Sequence, residues 1–155
     1  MKGIFVTFEG IDGSGKSTAA ALVNACLKKN GFKAVLTREP TETWVGEAVK
    51  RMCGSGRSNP FSELHLFLAD RAAHTDRMRE WLSQGRLVLC DRYWDSTVAY
   101  QGVTLRPFLK GRTLDWLAQL HSSIIVVPDI TFILDLEPAE AVRRMSSRKS
   151  RIKLS

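Results

Sequence analysis

Residues 8–18 read Phe-Glu-Gly-Ile-Asp-Gly-Ser-Gly-Lys-Ser-Thr and fit the pattern Gly-x-x-x-x-Gly-Lys-[Ser/Thr] from Gly10 to Ser17. Such a loop binds phosphate. Gly10, Gly13 and Gly15 let backbone N–H groups curl around phosphate oxygens, with Ser14 between them. Lys16 supplies a point charge, and the hydroxyl of Ser17, next to Thr18, is suited to ligate Mg²⁺. Asp12, inside the loop, is either a turn former or a hydrogen-bond partner for a sugar hydroxyl. An apolar run at 4–8 precedes the loop, and a run rich in Ala and Leu at 17–30 follows it. A strand therefore delivers the loop, and a helix N-terminus aims at the same anion.

Three further groupings carry chemistry. Asp91-Arg92-Tyr93 follows an apolar run, which sets a carboxylate and a guanidinium at the carboxyl edge of a sheet, where open α/β sheets bind ligands. Asp91 is suited to the Mg²⁺ shell and Arg92 to bidentate phosphate binding. Thr37-Arg38-Glu39-Pro40 holds the equivalent place after a second apolar run, so Arg38 and Glu39 are expected to point into the cleft. Phe67 and Arg71, four apart, share a helix face. They form either a stacking plate and a donor for a nucleobase, or a core phenylalanine and an arginine paired with a carboxylate such as Asp70.

Apolar β-branched runs at 4–8, 34–37, 87–90 and 130–136 alternate with helical patterns, the spacing of βαβ units. The runs at 87–90 and 131–134 are nearly continuous, as expected of parallel strands covered on both faces. The expected fold is α/β, one domain over 1–155 with a doubly wound parallel sheet. Expected helices are 17–30, closed by Gly31; 45–52; 60 to about 84, opened by Asn59-Pro60 and closed by Gly85; Thr113–His121; and one opened by Pro138. In the fourth, Leu114, Leu117, Ala118 and His121 share a face. In the last, Ala139, Val142 and Met145 are expected inward.

Apolar residues at 44% indicate a globular chain, and no run of 18 apolar residues suggests a membrane span. The N-terminal apolar stretch is too short for a signal peptide, so a cytoplasmic location is expected. Cys26, Cys53 and Cys90 are too widely spaced for a disulfide framework or zinc site. His65, His74 and His121 lack metal-ligand spacing and read as surface or satisfied core residues. The net charge of +7 suits either nucleic acid or a site for several phosphates. No nucleic-acid-binding motif appears, and small-molecule partners are expected.

The loop at 8–18, Thr37-Arg38-Glu39-Pro40, Leu66-Phe67-Leu68-Ala69-Asp70-Arg71, and Asp91-Arg92-Tyr93 continuing through Ser96 and Ala99-Tyr100-Gln101-Gly102 together resemble the thymidylate kinase family, in family order and across essentially the whole chain. The resemblance implies P-loop nucleoside monophosphate kinase architecture, a homodimer, and phosphoryl transfer from MgATP to dTMP, giving dTDP and ADP for dTTP synthesis. It implies that Lys16 and Ser17 serve ATP and Mg²⁺, that Asp12 contacts the 3′-hydroxyl, and that Phe67 stacks on thymine. By the same resemblance Arg71 donates to O4, Arg92 binds the acceptor phosphate, and Tyr100 disfavours a 2′-hydroxyl. Thr97 falls where some relatives carry a base-reading side chain, and Gln101 lies beside it on the substrate side.

Family members extend past the basic segment with a helix, a fifth parallel strand and a loop for the donor adenine, so either the chain is C-terminally incomplete or the protein lacks part of its donor pocket. Gly13 and Ser14 are not cationic where some relatives carry a loop arginine. That directs attention to a lid over about 143–155, with Arg148 or Arg151 as the catalytic cation among Ser146, Ser147 and Ser150. Competing readings are a kinase for another monophosphate or small acceptor, and a nucleotide-binding module without turnover.

Overall fold

The computed structural model describes residues 3–56 and 58–152, and side chains within these as far as residue 147. The elements run β1 (Ile4–Glu9), α1 (Lys16–Lys29), β2 (Ala34–Arg38), α2 (Trp44–Gly54), α3 (Pro60–Ser83), β3 (Leu87–Asp91), α4 (Trp94–Leu109), α5 (Thr113–His121), β4 (Ile130–Ile133) and α6 (Pro138–Ile152). Four parallel strands lie in the order β2-β3-β1-β4. β1 is central, pairing Phe5 with Val88 on one side and Phe8 with Phe132 on the other. The chain leaves β1 toward the β2 edge and later returns past it to β4, so the loop after β1 opens where the winding reverses.

Alternation along β1 builds two cores, because successive side chains of a strand point to opposite faces. Phe5 packs with Val88, Cys90, Tyr93 and Met78, on the face covered by α3 and α4. Val6 and Phe8 pack with Leu89 and Ala20 on the α1 face. A third cluster, Leu64, Leu68, Leu105 and Leu117, joins α3, α4 and α5 into an outer helical layer. Asn59 caps α3 by accepting from the N–H groups of Phe61 and Ser62, and Thr43 caps α2 by accepting from Gly46. α1 has no side-chain cap; it starts on left-handed Gly15 (φ 96°), which leaves its first N–H groups for an anion.

Four expectations differ from the structure. α4 is a full helix where none was expected, since its buried stripe is Thr97, Gln101 and Leu105 and two polar members hide the apolar period. In α5 the buried face is Thr113, Leu117 and His121, with Trp116 and Leu120 half-buried beside it, whereas Leu114 and Ala118 are exposed. In α6 Ala141 is buried while Ala139 and Val142 are exposed; the Ala141 backbone lies against Gly13 of the phosphate loop. β4 ends at Ile133, short of the expected run, and its four residues are exposed among the described residues, where coverage on both faces was expected.

The segment expected to form a lid loop belongs to α6 as far as Ile152. Residues 153–155 and the side chains of Arg148 and Arg151 lie outside the described residues.

Candidate functional site

The carboxyl ends of β1, β2 and β3 carry two cavities that meet at Asp12. One, of about 420 Å³, lies over the phosphate loop between Lys16, Ser17, Thr18 and Gly13. The other, of about 560 Å³, runs between α3 and α4 and is lined by Phe67, Arg71, Arg92, Thr97, Tyr100 and Gln101 among others. Asp12 lines both.

The loop owes its shape to close backbone approach. A β-carbon on Gly10 (φ 143°) would lie 2.6 Å from the carbonyl oxygen of Leu134, and one on Gly13 (φ 86°) 2.8 Å from that of Ala141. The junction of β4 and α6 therefore presses directly on the loop. This contact carries Arg144 and Met145 to the rim of the smaller cavity. Arg144 falls inside the expected lid segment of about 143–155 but was not singled out as its cation; it lines the smaller cavity and donates to Glu140 at 2.8 Å.

Charge converges where the cavities meet. Lys16, 5% exposed, donates to the Ile11 carbonyl at 3.2 Å and lies 3.5 Å from Asp12 Oδ1. Arg92 donates from Nη2 to the same Asp12 oxygen. Burial, and next the Arg92 charge, push the Lys16 ammonium below its ordinary value, against the opposing pull of Asp12 and Asp91. Two cations thus flank one carboxylate oxygen, and an incoming anion is attracted to both.

Arg92 stands in the left-handed region (φ 70°), a strained place for a side chain with a β-carbon. Glu9 holds it there. Its carboxylate accepts from the Tyr93 N–H and from Ser96 Oγ, each at 2.6 Å, and Ser96 Oγ in turn accepts from Arg92 Nη1 at 3.2 Å. Burial raises the Glu9 carboxyl above its usual range, and the Ser96 and Tyr93 hydrogen bonds oppose the shift. Glu9 belongs to the recognised motif, yet its sequence shows only a carboxylate ending a buried strand. Its partners, some 84 to 87 residues away, appear only in the fold.

Asp91 Oδ2 accepts from Ser17 Oγ at 2.5 Å, while Oδ1 is buried without a partner. An orphaned carboxylate oxygen beside a hydroxyl is a hard-oxygen donor set, and it fits Mg²⁺, which is held by one or two protein groups together with substrate phosphates. For the same reason, the absence among the described residues of three clustered His, Cys, Asp or Glu does not conflict with it.

The floor of the larger cavity is an ionic network. Arg71, 1% exposed, donates through Nε and Nη2 to Glu39 Oε2 (2.9 and 2.5 Å), through Nη2 to the Tyr93 carbonyl (3.1 Å), and through Nη1 to Thr97 Oγ1 (2.9 Å) and His121 Nε2 (2.8 Å). All five of its N–H groups are engaged. Glu39 Oε1 accepts from His74 Nδ1 at 3.0 Å. Burial alone would raise the Glu39 carboxyl, but Arg71 and then His74 outweigh it and hold it below its ordinary value. Arg71 therefore pairs with Glu39; Asp70, the carboxylate suggested by the sequence, instead accepts from Thr41.

Phe67 is half-buried on the cavity wall, and Tyr100 is 46% exposed with the Arg92 guanidinium 5.5 Å from its ring centre. Gln101, 2% exposed, donates its amide to Glu63 at 2.7 Å. Arg38 and Glu39 part company at the end of β2: Glu39 turns inward under Arg71, whereas Arg38 is exposed and borders a neighbouring groove with Ser17 and Asp91. Successive residues of a strand face opposite ways, so the two could not share one wall. The Glu39–Pro40 peptide is cis.

The family model for thymidylate kinase matches residues 8–154. A probable thymidylate kinase of Methanosarcina barkeri is 43% identical over 150 residues, 96% of this chain and 72% of the relative. A thymidylate kinase of Cutibacterium acnes is 38% identical over 154 residues, 96% of this chain and 73% of the relative. The crystal structure of thymidylate kinase from Ehrlichia chaffeensis superposes with a TM-score of 0.76 at 37% identity, covering 98% of this chain and 87% of that one. With a phosphate loop, a cation pair and a second cavity assembled on one sheet edge, and with matches that run almost from end to end of this chain, the chain belongs to the thymidylate kinase family.

Proposed function

We propose that the chain transfers the γ-phosphoryl group of ATP to the 5′-phosphate of dTMP, giving dTDP and ADP in the supply of dTTP. The observation that carries this reading is the meeting of the two cavities at Asp12, with Lys16 on one side and Arg92 on the other. In-line transfer needs donor and acceptor phosphates end to end between fixed cations, with little further chemistry from the protein. Asp12 bridges the two cations.

In this reading ATP phosphates lie in the loop of Gly10 to Thr18 and meet the α1 N-terminus and Lys16. Ser17 and Asp91 would hold Mg²⁺, which when bound neutralises charge on the donor phosphates. Arg92, pre-set by Glu9 and Ser96, grips the acceptor phosphate, whose own oxygen is the nucleophile. Phe67 stacks on the thymine, Arg71 donates to O4, Asp12 takes the 3′-hydroxyl, and Tyr100 lies against C2′. Thr97, which shares Arg71 Nη1, gives up that N–H to the base. Gln101 braces the wall through Glu63, Glu39 acts through Arg71, and Arg38 attracts phosphate from the adjoining groove. The cation over the transferring group comes from α6, either from Arg144, which lines the smaller cavity, or from Arg148 or Arg151 further along the segment of about 143–155. The family resemblance also supports a cytoplasmic homodimer acting on small molecules.

A coupled assay of ADP release across a panel of nucleoside monophosphates tests the function. The expected result is a kcat/KM highest for dTMP. A higher value for another monophosphate identifies a different kinase, and nucleotide binding without turnover identifies a binding module.

A further inference from the structure

His121 ends α5, far in sequence from every motif, and is fully buried. Its Nδ1 lies 2.7 Å from the Leu117 carbonyl, which can only accept, so Nδ1 carries the proton. Its Nε2 lies 2.8 Å from Arg71 Nη1, which can only donate, so Nε2 must be bare. Both contacts together require the neutral Nδ1–H tautomer. The Trp94 ring on α4 packs edge-on against the imidazole at 5.1 Å between ring centres.

The guanidinium it touches is held on the opposite side by Glu39 and against the Tyr93 ring, 5.3 Å from its centre. Nη1 has two acceptors: His121, behind the wall, and Thr97, which lines the cavity. We infer that His121 is a positioning residue for base recognition: by accepting one Nη1 hydrogen it turns the other toward the cavity, and when His121 is protonated that aim is lost. This rests on the reading of the larger cavity as the dTMP site.

Protonation would set an imidazolium N–H against a guanidinium N–H, two donors and two positive charges in a buried place. The charged groups acting on His121 are Arg71 from α3 and Glu39 from the loop after β2. Burial, with Arg71 adding to it, keeps the imidazole below its ordinary value despite the Leu117 hydrogen bond and Glu39, so it is neutral at neutral pH. The neutral form therefore gives way as pH falls below the ordinary histidine range.

The test is steady-state kinetics of the full chain with dTMP and ATP varied separately, for wild type, His121→Leu and His121→Gln. His121→Leu removes the acceptor from a buried charged donor and should raise KM for dTMP about tenfold, with kcat and KM for ATP within about twofold. His121→Gln, whose amide oxygen can accept in its place, should recover most of the loss. The dTMP phosphate titrates near pH 6, so the informative quantity is the ratio of wild-type to His121→Gln KM for dTMP at matched pH. It should rise as pH is lowered from about 8 to about 5, since wild type alone carries the titrating imidazole; His74 and Glu39 are common to both.

A ratio independent of pH, or a Leu variant that changes kcat and both KM values together, overturns the inference. If His121→Leu does not fold, the Gln ratio decides. Wild-type enzyme that fails to use dTMP at all refutes the proposed function instead, a separate result visible before any variant is made.

Discussion

Replacing Glu39 by Gln keeps the side-chain volume and removes the charge opposite Arg71. The pair is buried, with Arg71 1% and Glu39 3% exposed, so the orphaned guanidinium has no water to turn to. Removing one partner of a buried ion pair costs about 3–5 kcal/mol. Arg71 keeps three other acceptors, Tyr93 O, Thr97 Oγ1 and His121 Nε2, which argues for the low end, about 3 kcal/mol. For a chain of this size each kcal/mol moves the melting midpoint by roughly 2–4 °C, so Glu39→Gln should melt about 6–12 °C below wild type at pH 7. Because Glu39 is held below its ordinary value in the fold, the stability it contributes is complete above the unfolded carboxylate range. It drains away as pH falls through the folded value. The gap should therefore narrow in acid. Thermal denaturation followed by circular dichroism at pH 7 and near pH 4 measures both. A midpoint within about 2 °C of wild type at pH 7, or a gap that widens on acidification, would refute the ionic account of this network.

Lys16→Ala should lower kcat at least ~10²-fold while the protein melts near the wild-type midpoint, because it removes charge at the transferring phosphate; single-turnover rates read the loss, and near-normal turnover would remove Lys16 from that position. Arg144→Ala should cut kcat about tenfold or more with KM for dTMP little changed, as expected of a cation acting mainly in the transition state. If only the double replacement of Arg148 and Arg151 has this effect, the cation comes from the far end of α6. Tyr100→Ala should lower the kcat/KM ratio of dTMP to UMP by opening space for a 2′-hydroxyl; an unchanged ratio would exclude Tyr100 from the sugar contact.

The four strands and the phosphate loop were legible because each rests on local physics: short apolar runs, glycines at positions of positive φ, and a lysine at fixed spacing. α3 announced itself through Asn59-Pro60 and Gly85, and its observed limits, Pro60–Ser83, lie within a residue of the expectation. α4 did not, since hydrophobic periodicity is the signal for a helix and the buried stripe here is Thr97, Gln101 and Leu105. The residues that hide the helix are the ones that line the cavity, so the site itself erased the pattern.

From sequence alone come the types of group available and the edge of the sheet on which they stand: Lys16, Ser17, Asp91 and Arg92 near one anion, Phe67 and Arg71 on one helix face. Which group answers which was decided only by tertiary structure. Glu39 rather than Asp70 balances Arg71, Glu9 pins a left-handed Arg92, Arg144 lines the cavity over the loop, and His121 closes a network begun at Thr37 and His74. These partners lie tens of residues apart, and no periodicity links them. Buried charges take whatever counter-charge and hydrogen bonds the packed elements bring within reach, and that reach is set by the crossing of α3, α4 and α5, which no local stretch encodes.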